Sequence, residues 1–528
     1  MSNLCQYCNY PAEDEYQCDP DDSNACDACR KLGELQEKIK EIWATLVRLK
    51  TERSKLKEEA NRHHGKFIHR LPPEVVANIF EFCLPVDPMN IDFEFQTVSR
   101  NVIWAPLVLS GVCSWWRTVV RSTPQLWSTI ILPFFPQNPN YPTKLAPRFV
   151  KAWLDRSGEL PLSINIYETR NAQWMANNSD VMLQIIKELN MHSARWQQLK
   201  YCGRQLFLPQ LSDSGENLPQ LRKLDLDIYT NDSEDTSLIL YPAGLKALSI
   251  TGVKLLAVSN FDWAHLSELT LLRYSLSDCF EALRRVPNIV RFIFQYATDE
   301  EEELSLPQRP IENTNIQHLE IDARGLNFQV FLGYMTFSSL KTLVLTSDYD
   351  ESEVLQMSAL VGFLQTSGCL LENLSLCADL SSSTIISLCK EVPTLRYLQL
   401  DFAYSPISAL ETFLNIMAEF STLDDKSECS YLPLLYSLSL MTLKFHHWPK
   451  LIDIFGTPTQ QSIERHRPAL QSLYIFVKID AQELQWRYPN SSVQYRIDRE
   501  TLTRLIWLRN FCGVKWRIRS GTELDINL

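Results

Sequence analysis

Four cysteines near the start of the chain have the residue type and the spacing of a metal site. Cys5 and Cys8 form one Cys-x-x-Cys pair, and Cys26 and Cys29 form a second pair. Two such pairs at this separation can bring four thiolates around one tetrahedral zinc ion. The zinc ion would then hold together a segment that is too small to fold alone. The alternative is a flexible acidic tail with incidental cysteines, and the spacing alone does not decide between the two.

The rest of the sequence contains no motif that predicts catalysis. Glycine accounts for only 15 of the 528 residues, and no G-x-x-x-x-G-K-[ST] or G-x-G-x-x-G phosphate-binding loop occurs. A G-x-S-x-G turn and an H-E-x-x-H helix are absent as well. We therefore expect no catalytic residues, and a protein that acts by binding.

Composition and charge narrow the kinds of partner. The chain carries 51 basic and 63 acidic side chains, a formal net charge of −12, which disfavours nucleic acid because general binding to it needs a basic surface. We expect no membrane partner, since no apolar run is long enough to cross a bilayer and the N-terminus lacks an apolar signal core. Without that signal, the 14 cysteines predict reduced thiols in the cytoplasm or the nucleus.

A long helix is expected after the cysteine-rich segment at 1–30. From 28 to 64, apolar residues alternate at spacings of three and four, with charged residues on the other faces and Arg53 at one position of the apolar seam. This pattern predicts a coiled-coil helix over 31–64. Its partner is either a second copy of the chain or another part of the same chain, and both alternatives stay open.

Short helices with large apolar faces are predicted between Phe67 and Trp127. Pro72 and Pro73 stand where the first turn of a helix accepts proline, and apolar residues then recur with helical spacing up to position 83. A second apolar stripe runs from 108 to 120, and Pro124 ends it. Two or three short helices cannot bury such large apolar faces against one another. We therefore expect these faces to pack against a partner surface.

This stretch resembles the F-box family. The matching pieces occur in order: Leu71-Pro72-Pro73-Glu74, an apolar helix with Ile79 and Phe80, the core Val112–Arg117, and Pro124-Gln125-Leu126-Trp127. The resemblance covers 65–130, with an insertion at 86–106 where the family usually has a short connection. It implies binding to Skp1, and through Skp1 to a cullin, a RING protein and an E2 enzyme. The residues that it assigns to the Skp1 contact are Leu71, Pro72, Glu74, Val75, Ile79, Val112, Trp116 and Leu126.

The remainder of the chain repeats the motif L-x-x-L-x-L with apolar substitutions. About ten copies occur, mostly 21 to 31 residues apart. Two degenerate copies are expected in addition, a first one at Trp196-Leu199-Tyr201 and a last one at Leu502-Leu505-Trp507. The pattern resembles an irregular leucine-rich repeat array. The fold class expected is therefore α/β: a leucine-rich-repeat solenoid (horseshoe) preceded by a small all-α F-box and an N-terminal coiled-coil helix. A linker and the start of the solenoid are expected at 131–195, and the repeats at 196–528.

One face of the predicted repeats is a candidate binding surface. Alternation along each strand buries the fourth and sixth motif positions and turns the third and fifth to an open face. Charged residues mixed with Ile, Val and Tyr suit protein recognition, and curved repeat arrays generally bind on this side. The alternative is a solvated sheet that binds nothing in particular. The residues expected to contact a target protein are Arg291, Ile293, His318, Glu320, Tyr397, Gln399 and Tyr474.

These features predict the substrate-recognition subunit of an SCF-type E3 ubiquitin ligase. It would be a non-enzyme that binds Skp1 through the F-box and an unidentified target protein through the repeats. A second class is a leucine-rich-repeat scaffold that assembles complexes without ubiquitin transfer. A third is a zinc-dependent nucleic-acid binder, which the acidic balance disfavours. No cofactor is expected beyond the zinc at the N-terminus.

Overall fold

The chain divides into two compact units in a computed structural model. Met1–Asp87 and Glu94–Trp127 form the first, which we call the helical unit, and Pro88–Phe93 and Ser128–Leu528 form the second, the sheet unit. The structure describes 27–64, 71–90, 103–134, 146–168, 172–211, 217–229, 241–242, 244–258, 261–296, 307–322, 328–347, 357–378, 380–403, 405–419, 431–442, 450, 454, 470–477, 503, 506, 515–520 and 525–526.

The helical unit contains four described α-helices and one 3-10 turn. They are α1 (Asp27–His64), α2 (Pro73–Glu81), α3 (Ala105–Ser110), α4 (Ser114–Arg121) and the 3-10 turn Pro124–Trp127. The long helix predicted over 28–64 is confirmed, and it begins within the segment assigned to 1–30. Cys29 is therefore part of α1, whereas Cys5, Cys8 and Cys26 lie outside the described residues.

Proline and cysteine set the starts of the short helices. Pro72 has extended backbone and precedes α2, and Pro73 occupies a first-turn position where no backbone donor is needed. The second apolar stripe is divided between α3 and α4. Cys113, in extended conformation, caps α4, because its Sγ accepts a hydrogen bond from the backbone N of Trp116 at 3.4 Å.

A small core holds these helices together. Val76 and Phe80 of α2 are buried with Val120 of α4, and the ring centroids of Phe80 and Trp116 lie 4.7 Å apart. Trp127 is also buried and donates its indole N–H to the carbonyl oxygen of Val120 at 2.8 Å. A buried indole usually needs such a partner.

The sheet unit is built on one sheet of 15 strands in chain order. The strands are β1 (Thr129–Phe134), β2 (Leu162–Glu168), β3 (Trp196–Arg204), β4 (Lys223–Tyr229), β5 (Ala247–Thr251), β6 (Glu268–Tyr274), β7 (Arg291–Tyr296), β8 (His318–Asp322), β9 (Thr342–Thr346), β10 (Asn373–Cys377), β11 (Tyr397–Asp401), β12 (Ser437–Thr442), β13 (Ser472–Val477), β14 (Lys515–Ser520) and β15 (Asp525–Ile526). Neighbours pair in parallel from β1 to β14, and β15 pairs antiparallel with β14. The sheet is not closed into a barrel.

The predicted leucine motifs lie side by side in this sheet. Leu224 on β4 lies opposite Leu248 on β5, and Leu248 lies opposite Leu269 on β6. The same register continues through Phe292, Leu319, Leu343, Leu374, Leu398, Leu438 and Leu473. All of these side chains are buried. A repeat solenoid with a long parallel sheet is therefore the fold of this unit, and each repeat continues the core of the one before it.

Helices and 3-10 turns connect the strands and cover the buried face. The α-helices are α5 (Ala146–Arg156), α6 (Ala172–Asn190), α7 (Leu276–Arg285), α8 (Phe328–Gly333), α9 (Met357–Ser367), α10 (Ser382–Glu391) and α11 (Ile407–Glu419). The 3-10 turns are Ser193–Arg195, Gln205–Gln210, Leu255–Val258 and Trp263–His265. Two short strand pairs, Asn217–Leu218 with Tyr241–Pro242 and Ile311–Glu312 with Met335–Thr336, lie outside the main sheet. None of the described helices combines the length and apolarity needed to cross a membrane.

The two ends of the sheet extend beyond the repeats that match the motif. At the start, Ile130 on β1 lies opposite Ile164 on β2, which lies opposite Leu199, so two strands precede the repeats expected from 196. β2 lies within 131–195, where the start of the solenoid is expected. At the end, the copy expected at Leu502-Leu505-Trp507 is wrong, because Thr503 and Ile506, the two described residues within it, are helical. Trp516 on β14 occupies the ladder position opposite Leu473 instead.

Candidate functional site

The helical unit exposes apolar side chains. Val75 and Ile79 of α2 are each 41% exposed, and Phe82, directly after the helix, is 90% exposed. Val108 and Val112, within and just after α3, are 46% and 42% exposed. We call these five residues the apolar surface of the helical unit.

Helix α2 is apolar on two sides. Val76 and Phe80 point into the core, whereas Val75, Ile79 and Phe82 recur at intervals of four and three on a different side. A surface helix normally needs only one apolar stripe, because its other side faces water. The second stripe is therefore a candidate contact for another protein.

Most of the residues assigned to the Skp1 contact lie on or near this surface. Val75, Ile79 and Val112 belong to it, and Pro72, Glu74 and Leu71 stand at the start of α2 with exposed or half-buried side chains. Trp116 is half-buried against Phe80. Leu126 differs, because it is 0% exposed and packs in the core of the unit. Its side chain does not reach the surface.

Part of the insertion at 86–106, Pro88–Phe93, belongs to the sheet unit. Pro88 belongs to that unit, and its carbonyl oxygen accepts a hydrogen bond from the Asn165 side-chain amide at 2.8 Å. Asn165 and the neighbouring Met89 are buried. The residues 91–102 lie outside the described part of the chain. Pro88 within the insertion therefore contacts β2.

The open face of the sheet brings one group of predicted target-binding residues together. Arg291 lies beside His318, and Ile293 lies beside Glu320, because β7 and β8 pair in register. Nη2 of Arg291 and Nε2 of His318 each lie 3.6 Å from Oε2 of Glu320. The nearby His318 imidazole lowers the pKa of the Glu320 carboxyl, and Arg291 acts in the same direction. The group therefore presents an ionised carboxylate between nitrogen donors.

A second group is aromatic and lies further along the sheet. Tyr397 on β11 and Tyr474 on β13 are 48% and 39% exposed. Tyr436, just before β12, has its ring centroid 5.9 Å from that of Tyr397, and it was not among the predicted residues. Gln399 on β11 donates to the sulfur of Met441 at 3.5 Å. Tyrosines with an apolar ring and a polar tip are common contacts in protein interfaces.

The two groups are separated by two strands. β9 and β10 lie between them and carry smaller residues on the open face, Thr342, Val344, Asn373 and Ser375. The Asn373 amide donates to the Thr342 hydroxyl at 2.9 Å across these strands. The seven predicted residues therefore form a charged patch and an aromatic patch on one face.

Cys202 on β3 occupies the open face but does not have the environment of a nucleophile. Its Sγ lies 2.9 Å from the Tyr229 hydroxyl and 3.3 Å from Oδ2 of Asp227. Burial raises the pKa of this thiol to about 12, and the nearby Asp227 acts in the same direction. The thiol is therefore protonated at neutral pH and serves as a packing group.

The described residues do not test the zinc prediction. Three of its four cysteines lie outside them, and within the described ranges no group of three or more His, Cys, Asp or Glu side chains could hold a metal ion. The N-terminal zinc therefore stays a prediction.

Comparisons with known proteins give little guidance. No family model matches the chain, and no curated protein matches it. Among solved structures, the crystal structure of a TLR13–ssRNA13 complex is similar over 54% of this chain, with 13% sequence identity and a TM-score of 0.26. The chain covers only 43% of that TLR13 chain. A similarity this distant supports neither a fold nor a function. The assignment of a repeat solenoid depends on the topology and register of the sheet.

Proposed function

We propose that the protein is the substrate-recognition subunit of an SCF-type ubiquitin ligase. In this proposal the helical unit binds Skp1, and the open face of the sheet binds a target protein. The resemblance of 65–130 to the F-box family supplies the identity of the first partner. The structural observation that supports it best is that α2 is apolar both toward its own core and toward the outside.

The sheet unit supports the second half of the proposal. Its charged patch on β7–β8 and its aromatic patch on β11–β13 provide a mixture of charge and amphipathic rings that suits a protein target. The chain would perform no bond chemistry. It would raise the effective concentration of target lysines near an E2 enzyme that is bound elsewhere in the complex.

Copurification of the full chain with Skp1 and a cullin tests this function. Ile79→Asp places a charge at the centre of the exposed α2 stripe, where a partner would have to desolvate it, so we expect Skp1 binding to be lost. Leu183→Asp on α6 is the matched control, because Leu183 is equally exposed at 41% but belongs to the sheet unit.

Three outcomes are informative. Loss of Skp1 with Ile79→Asp and retention with Leu183→Asp supports the proposal. Retained binding in both variants contradicts the assignment of the apolar surface. If the wild-type chain binds neither Skp1 nor a cullin, the proposal is wrong, and the alternative of a scaffold without a role in ubiquitin transfer is the next to test.

A further inference from the structure

Helix α1 carries an apolar seam that is open to solvent. The helix has 38 residues and is about 57 Å long at 1.5 Å per residue. The seam residues are between 37% and 67% exposed; they are Leu35, Ile39, Ile42, Leu46, Leu49 and Leu56. Such a row of large apolar residues with heptad spacing is the form of a coiled-coil interface.

One described contact of α1 within its unit lies away from this seam. The hydroxyl of Ser114 on α4 donates a hydrogen bond to the Glu58 carboxylate. Glu58 is two residues beyond the seam residue Leu56, on the side of the helix opposite the seam. The seam therefore faces away from this contact.

The charges beside the seam favour an antiparallel pair. One flank carries lysines in its first half, Lys31 and Lys38, and glutamates in its second half, Glu52 and Glu59. If a second copy runs in the opposite direction about a two-fold axis near Ala44, each Lys38 faces Glu52 of the other copy. Lys31 then faces Glu59 in the same way. Flanking charges of this kind set the orientation of coiled coils.

The seam itself favours the same orientation. About that axis, Ile39 packs against Leu49 and Ile42 packs against Leu46 of the other copy. In a parallel, in-register pair, Arg53 would instead face Arg53 of the other copy inside the seam, where like charges repel. The antiparallel arrangement separates the two Arg53 residues by 18 residues, about 27 Å along the helix.

We propose that α1 forms an antiparallel two-stranded coiled coil with a second copy of this chain. This dimer does not depend on binding to Skp1. Sedimentation equilibrium of the full chain measures it directly, and we expect a species of twice the 61.1 kDa of one chain that dissociates on dilution.

Charge reversal distinguishes the orientation. In the antiparallel dimer, Lys38→Glu and Glu52→Lys each create two like-charge contacts, and each should raise the dissociation constant about tenfold. The double variant Lys38→Glu/Glu52→Lys restores both contacts and should return the dissociation constant to the wild-type value. Its recovery also shows that both substitutions are compatible with the folded helix. Lys40→Glu, an equal charge change at an exposed position away from the flank, is the matched control and should have little effect.

The same measurements can overturn the proposal. A wild-type chain that stays monomeric at all concentrations excludes the dimer. In a parallel pair, Lys38 faces Trp43 and Glu52 faces Lys57 of the other copy, so only Glu52→Lys would weaken association. Failure of the double variant to restore the dimer would therefore exclude the antiparallel arrangement.

Discussion

A buried ion pair at the carboxyl ends of β2 and β3 gives a sharp test of how the sheet packs. Glu168, at the end of β2, has a side chain that is 0% exposed, and its Oε1 lies 2.5 Å from Nε of Arg204 at the end of β3. Its Oε2 accepts hydrogen bonds from the Tyr201 hydroxyl and the Arg204 backbone N, each at 3.0 Å. Gly203 leaves room for this carboxylate, since a Cβ there would lie 2.6 Å from Oε2.

Replacing Arg204 with Met removes the charge partner and leaves the carboxylate buried. Breaking a fully buried ion pair costs about 3 to 5 kcal/mol. The Arg204 side chain is 25% exposed, so water can replace part of the lost interaction, and we expect a loss of about 2 to 3 kcal/mol. The double variant Arg204→Met/Glu168→Leu should recover much of this loss, because it removes the uncompensated charge as well.

Hydrogen exchange of the β2 and β3 amides measures the free energy of local opening in each variant. Arg285→Met is the matched control, because Arg285 pairs with Glu281 one turn away on α7, where Glu281 is 51% exposed. That change should cost well under about 1 kcal/mol. If Arg204→Met lowers the free energy of opening no more than Arg285→Met does, burial does not make the Glu168–Arg204 pair the stronger of the two.

Three further predictions concern the sheet. Leu343→Ala should lower the free energy of unfolding by about 2 to 5 kcal/mol, because Leu343 is 0% exposed, whereas Val344→Ala on the open face should cost under about 1 kcal/mol; chemical denaturation checks both. The Cys202 thiol should react slowly with iodoacetamide at pH 8, because its pKa is raised to about 12, and unfolding in urea should abolish this protection, as peptide mass mapping would show. The neighbouring His318 and Arg291 side chains lower the pKa of Glu320, so its stabilising contribution is present above the unfolded value near 4.3 and is lost as the pH falls through the folded value. The stability difference between wild type and Glu320→Gln, measured by denaturation across pH 7 to 3, should shrink at acid pH; an unchanged difference would contradict this assignment.

The regular parts of the fold could be predicted because their patterns are local. Each L-x-x-L-x-L motif fixes which side chains alternate into the core, and stacking then determines the register. The two ends could not be predicted in this way. β1 is almost continuously apolar, TIILPF, so it shows no alternation, and it is buried on both faces apart from Thr129. β14 has Trp516 and Ile518 in place of leucines, and the leucines at 502 and 505 gave a stronger but misleading match.

The candidate sites were predictable to different degrees. The motif predicts which residues of each strand face the open side of the sheet, because side chains alternate along a strand. It therefore predicts that Arg291, His318 and Glu320 lie close together. The pairing of Glu168 with Arg204 joins residues 36 positions apart and has no local signal. Leu126 shows a further limit, because an apolar residue in a closing turn can face either a partner or its own core, and here it faces the core.

Hydrogen exchange of the full chain with and without purified Skp1 shows whether Skp1 binds to the helical unit. We expect a stable complex in which amides within 71–87 and 103–127 exchange more slowly, most strongly around Val75 and Ile79 on α2. Absence of a complex, or a complex that protects the sheet and leaves the exchange of α2 unchanged, would rule out the helical unit as the Skp1-binding site.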